Sequence, residues 1–214
     1  FAAEEGKTDS VTVGIMADPE NMGPWSGMSM GRIAVLFTTY EYLLTREDGV
    51  AYGVLAKSWD EVDPKTYDVE LYDYIHDAAG NPLTASDVVF SFESAIATKN
   101  YGKLSVIDSV TATDDYHVEF KFNKDLEIGE FENVMLECAI VTQAAYEASP
   151  DQMATTPVGT SAYLVDSYVP GSEIVMKDTG DYWQTDESLV HGTSIHNAGE
   201  IHFSVITEAS QHTV

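Results

Sequence analysis

The chain has 214 residues, with 36 Asp and Glu against 10 Lys and Arg, giving a formal charge of −26 at pH 7. That length makes one ordinary domain or two small ones, and 51 Leu, Ile, Val and Phe residues suffice to build a core despite the charge. Ten cations with none in a run exclude nucleic acid and anionic membrane surfaces as partners, and the longest unbroken apolar stretch, Ile33 to Phe37, falls far short of the ~20 residues that cross a bilayer.

In chain order, Phe1 to Glu5 have the small-residue character that follows a signal-peptidase site, so an exported protein is expected. Val11, Val13 and Ile15 alternate with Thr12, Gly14 and Met16 as a strand, which Asp18-Pro19 stops in an irregular loop reaching about Gly27. From Ile33 the recurrence of Phe37, Tyr40 and Leu44 predicts a helix face. Tyr67, Val69 and Leu71 predict a half-buried strand. Thr84 with Asp87 three residues on has the pattern of a capping box ahead of a helix carrying Val88, Val89, Phe92 and Ile96. Two hairpins are expected, one from Val106 to Phe122 turning at Asp114-Asp115 and one from Ala162 to Lys177 turning at Pro170-Gly171. The stretch from Leu126 to Ala148 between them reads as mostly helical, and a last strand covers Ile201 to Ile206. No repeat appears, and the fold class is α/β or α+β.

Several motifs could carry chemistry. Gly27-Met28-Ser29-Met30-Gly31 fits the G-x-S-x-G pattern of a hydrolase nucleophile elbow, but no strand runs into Ser29 and no oxyanion-loop signature precedes it. A secreted serine hydrolase using Ser29 is kept as an alternative of another class. Met16, Met22, Met28 and Met30 crowd one region. Thioethers can hold Cu(I), so a copper-binding module using Met22, Met28 and Met30 is a second alternative, although methionine more often lines adaptable apolar surface. His191, His196, His202 and His212 fall near the C-terminus without the i, i+4 spacing of a helical metal site. Cys138 stands alone and forms neither an internal disulfide nor a zinc site by itself. The carboxylates are too numerous for any spacing to single out a catalytic pair, and Asp114-Asp115 lack the further ligands of an EF-hand.

Set in order, a series of segments resembles the family 5 extracellular solute-binding proteins, receptors of peptide, dipeptide and nickel ABC importers. They are Val11-Thr12-Val13-Gly14 with Asp18-Pro19 and Gly23-Pro24; Tyr40-Glu41-Tyr42-Leu43; Asp48-Gly49; and Leu55-Ala56-Lys57-Ser58-Trp59. The most specific stretch runs from Tyr67 to Leu71 through Ile75-His76-Asp77, Gly80 and Pro82-Leu83-Thr84-Ala85 to Asp87-Val88-Val89-Phe90-Ser91-Phe92. Pro157-Val158-Gly159-Thr160-Ser161-Ala162-Tyr163, Pro170-Gly171 and Asp181-Tyr182-Trp183 complete it. Tyr72, Ala78-Ala79 and Ser161-Ala162 depart from the family pattern.

The resemblance implies a periplasmic-binding-protein-like (type II) N-terminal lobe, residues 1–40 and 109–214, with a small α/β subdomain inserted at 41–108. The second lobe and the return strands of the first are expected to lie outside the chain. It further implies a non-enzymatic, cofactor-free receptor, exported and extracellular, lipid-anchored or periplasmic, that delivers a peptide or similar solute to a membrane permease. The solute would lie against Met28, Ser29, Met30, Gly159, Thr160, Ser161 and Tyr163, with Trp25 as a further wall residue, and a single lobe should bind it weakly.

Overall fold

The computed structural model describes residues 7–206. The expected processing site at Phe1 to Glu5, and His212, lie outside the described residues. Two four-stranded sheets organise the chain. The first joins β1 (Thr8–Ile15) to β8 (Tyr163–Val169), β9 (Glu173–Asp178) and β10 (Ala198–Val205) in the order β1-β10-β9-β8, with β1 parallel to β10 and the other pairs antiparallel. The second joins β4 (Ala56–Asp63), β5 (Thr66–Leu71), β6 (Ile107–Ala112) and β7 (His117–Phe122) in the order β4-β5-β7-β6, antiparallel throughout. The boundary expected at 108/109 falls inside β6. Main-chain pairing of β7 with β6 carries the second sheet on to Phe122.

Local chemistry explains most elements. Helix α2 (Ala85–Thr98) starts at Thr84, whose backbone N–H donates to Asp87 Oδ2 at 2.8 Å in a capping box. It packs Val88, Phe92 and Ala95 on the second sheet, with Phe92 meeting Phe120 edge-on at 4.9 Å. Asp114 closes the β6–β7 hairpin by accepting from the Tyr116 N–H. The hairpin of β2 (Leu44–Glu47) and β3 (Val50–Gly53) was not predicted. Its turn residues Asp48 and Gly49 both have positive φ, the requirement of a tight two-residue turn that matches strand twist.

Three further expectations change. Helix α1 (Ile33–Thr39) ends before Tyr40, which is extended, and Leu44 belongs to β2, because Glu41 pairs with Ile140 instead of continuing the helix. Leu126 to Ala148 contains only two short helices, α3 (Glu130–Met135) and α4 (Gln143–Ala148), separated by that same bridging segment. Strand β4 was also missed, since Ala56 to Asp63 is mostly polar and its alternation is broken by bulges. The larger core lies between the second sheet, α2 and α3. A smaller one lies under the first sheet around Ile15, Val35, Ile174, Met176 and Phe203.

Because Phe92 is fully buried, Phe92→Ala is expected to cost about 3–5 kcal/mol of unfolding free energy, measured by urea denaturation. Ile96→Ala on the exposed flank of the same helix should cost well under half of that.

Candidate functional site

The loop between β1 and α1 is braced on several sides. Asp18 accepts hydrogen bonds from the Tyr168 hydroxyl and the Gly171 N–H, tying the loop to the β8–β9 hairpin. Burial raises the Asp18 pKa, but these donors and the Glu20 N–H outweigh it and hold the carboxyl below its usual value. Arg32 reaches back with Nε to the Pro19 carbonyl at 2.8 Å and with Nη1 to the Ser26 carbonyl at 2.7 Å. Across the molecule, Asn100 Nδ2 donates to the Trp25 carbonyl at 3.0 Å. From this frame Met28, Ser29 and Met30 project into solvent, and the Ser29 carbonyl starts α1 by accepting from the Arg32 and Ile33 N–H groups.

The other expected site residues are placed differently. Trp25 is buried, donating its indole N–H to the Ala139 carbonyl at 3.0 Å and packing on Phe90 and Tyr146. Gly159 lies against the carbonyl of Thr39, the last residue of α1, and a Cβ there would collide with it. Thr160, Ser161 and Tyr163 are buried; the Ser161 hydroxyl accepts from the Tyr163 N–H, and the Tyr163 hydroxyl donates to the Ala198 carbonyl at 2.8 Å. The structure therefore sets Met28–Met30 and Gly159–Tyr163 at opposite ends of α1, a seven-residue helix about 10 Å long. Only the first group faces outward.

The pentapeptide around Ser29 lies in an irregular loop, since β1 ends at Ile15. The five described histidines are engaged elsewhere. His76 meets the Asp77 carbonyl, His117 meets Asp114, His191 meets Glu47 and the Tyr52 ring, His196 meets the Ser194 carbonyl, and His202 meets Glu173 and Glu200. Met22 is fully buried while Met28 and Met30 are exposed, so these three thioethers do not share one face. Among the described residues, no group of three His, Cys, Asp or Glu is placed to hold a metal ion.

The sequence reading overlooked the residue on which this region depends. Glu41 is 2% exposed, and its carboxylate accepts four side-chain hydrogen bonds. Tyr182 and Ser194 donate to Oε1 at 2.6 Å each, while Thr160 and Trp183 donate to Oε2 at 2.8 Å each. Burial pushes the Glu41 carboxyl upward, the four donors pull it back, and it stays above its ordinary value. Nearby, Asp77 is a second buried acid. It accepts from the Ala79 and Asn81 N–H groups, the Asn81 amide and the Thr142 hydroxyl. The signal for Glu41 was present as an acid inside the otherwise apolar run Tyr40 to Leu44.

This mixed α/β architecture, with one sheet in which the strand from the chain's start lies beside the last strand, is that of solute-binding lobes. The oligopeptide-binding protein AppA from Bacillus subtilis, solved with a nonapeptide, superposes with a TM-score of 0.80 at 20% identity, over 95% of this chain and 41% of that one. The substrate-binding protein CtaP from Listeria monocytogenes gives 0.76 at 25% identity, over 96% of this chain and 42% of that one. Residues 51–213 match the bacterial extracellular solute-binding proteins, family 5 (middle), and the chain belongs to that family. The nickel-binding protein NikA of Staphylococcus aureus is 30% identical over 151 residues, which are 70% of this chain and 30% of that protein. The chain spans about a third of the length of the curated relatives it matches.

Glu41→Ala strands one indole N–H and three hydroxyls in the core and is expected to cost at least about 3 kcal/mol in denaturant unfolding. The pH dependence has a definite sign. With the folded value above the ordinary 4.5, Glu41's contribution to stability is greatest below about 4.5, declines as pH rises toward the folded value and is flat beyond it. Subtracting the Glu41→Gln stability curve from that of the native chain should show this decline.

Proposed function

We propose that the chain is the N-terminal lobe of an ABC importer's substrate-binding receptor, taking a peptide or a comparably small polar solute against the loop that carries Met28, Ser29 and Met30. The observation that carries the reading is the pairing of family membership with a rigidly braced loop presenting soft, adaptable side chains outward. Main-chain recognition suits a receptor that must accept varied side chains, because backbone hydrogen bonds are independent of sequence. At Gly159–Tyr163 much of the main chain is already engaged: the Gly159 carbonyl accepts from Ala78, the Ala162 carbonyl from Thr179, and the Tyr163 N–H donates to Ser161. Those residues support the wall, and Met28–Met30 form its face.

The relatives' names include nickel and di- or tripeptides, and these are the two solute classes the reading takes forward. No enzymatic step is required of such a receptor. Ligand would favour a form closed against a second lobe and shift the population toward it. The reading places the protein outside the cytoplasmic membrane, with a permease as its partner; among the described residues no helix is long and apolar enough to span a bilayer. Within the lobe, we assign β1 and β8–β10 to the lobe's own sheet and the β4–β7 sheet with α2 to the inserted subdomain, ending after Phe122.

A lobe supplying half of the contacts of a micromolar binder retains about half the binding free energy, giving a Kd of about 1 mM. Calorimetric titration of the 214-residue chain with tri- and pentapeptides, and with a Ni(II)–histidine chelate, should return millimolar values for one class, weakened by Met28→Ala with Met30→Ala. Micromolar or tighter binding by this chain overturns the half-site reading, and no response from either class at millimolar concentration overturns the receptor reading.

A further inference from the structure

The seven methionines fall into two sets with nothing between them. Met22, Met135, Met153 and Met176 are fully buried, whereas Met16, Met28 and Met30 are 74%, 47% and 69% exposed. All three exposed residues lie within the fifteen positions 16–30, and the fold brings the ends of that segment together. Gly31 sits so close to the carbonyl oxygens of Ala17 and Asp18 that a Cβ would be 2.5 and 2.8 Å from them, which brings the residue after Met30 against the residue after Met16, just past the end of β1. The loop beneath is held by Arg32 and Asp18 and does not need these side chains for its structure. Exposing three large thioethers on a braced surface, while shielding the other four completely, sorts the methionines by reactivity toward oxidants.

We infer that Met16, Met28 and Met30 form an oxidant-responsive modification site, each taking one oxygen atom from hydrogen peroxide or a comparable two-electron oxidant. A sulfur lone pair attacks the peroxide oxygen, the O–O bond breaks, a sulfoxide forms and water leaves, so sulfur is oxidised by two electrons and the peroxide is reduced. The product replaces an apolar, flexible side chain with a polar, chiral one, and methionine sulfoxide reductases reverse the change. The loop's outer face thereby switches from apolar to polar while both cores keep their thioethers. The inference rests on exposure and placement; only its consequence for solute affinity depends on the receptor reading above.

The test treats the native, ligand-free 214-residue chain with dilute hydrogen peroxide and follows each methionine by peptide mass spectrometry, with the urea-unfolded chain as the reference in which all seven react. Met16, Met28 and Met30 are expected to gain one oxygen each, at least about tenfold faster than Met22, Met135, Met153 and Met176. The oxidised chain should keep its circular dichroism spectrum and lose retention on a phenyl column. The triple variant Met16→Leu, Met28→Leu, Met30→Leu should be retained equally with and without peroxide. Comparable rates for both sets, or an unchanged phenyl retention of the oxidised native chain, would overturn the inference. Neither result bears on whether the chain binds a solute.

Discussion

The buried carboxylate of Glu41 is the constraint on which this part of the fold converges. An ionised acid removed from water carries a desolvation cost of several kcal/mol unless its lone pairs are satisfied, and here four donors from three separate stretches of chain offset part of that cost. Thr160 brings in the segment before β8, Tyr182 and Trp183 the connection after β9, and Ser194 the approach to β10. The Glu41 backbone adds a fourth stretch, since its carbonyl accepts from the Ile140 N–H. One side chain thus fixes the positions of elements more than 140 residues apart in sequence. The same demand explains why α1 stops at Thr39: a helix continued through Glu41 would carry the carboxylate away from its donors.

Asp77 repeats the arrangement on a smaller scale. Its two oxygens hold the 77–81 turn closed and reach the Thr142 hydroxyl, while Asp87 caps α2 through Thr84 and accepts from the Gln143 N–H. These acids, one before α2 and one in its first turn, connect that stretch to the start of α4 at two points. The Ala78 N–H, which donates to the Gly159 carbonyl, links that turn to the Glu41 region. Acidic residues that would be read as surface solvation in a chain of charge −26 therefore divide into two populations. Among the described residues, Glu41 and Asp77 are buried acceptors organising the connecting loops, and the other acids are at least partly exposed.

This division accounts for what could be read from the sequence and what could not. Elements specified by neighbours in the chain were legible: the capping box at Thr84, the hairpin turn at Asp114, and the alternation of Tyr67, Val69 and Leu71 each depend on residues a few positions apart. The end of α1 and the break between α3 and α4 were not, because both are set by the pairing of Glu41 with Ile140, 99 positions away, and periodicity carries no record of such a partner. The candidate site divides in the same way. At Gly159 to Tyr163 the sequence shows a run of small residues, while the packing of Gly159 on the Thr39 carbonyl and the bond from Thr160 to Glu41 depend on residues about 120 positions away.

The loop carrying Met28 to Met30 then has a physical logic of its own. Under the proposed receptor reading, mobile side chains on an immobile backbone would suit varied solutes, since ordering a flexible backbone on binding would consume the little affinity a shallow contact provides. Here the backbone is held from both sides, by Asp18 to the β8–β9 hairpin and by Asn100 to the end of α2, so that it spans the two sheet-bearing halves of the chain. Rigidity is supplied by charged and amide groups that point inward, and adaptability by thioethers that point outward. The acid-anchored core and the placement of this loop are consequently linked: polar groups drawn from distant parts of the chain define where the loop sits, and Met28 and Met30 are left exposed on it.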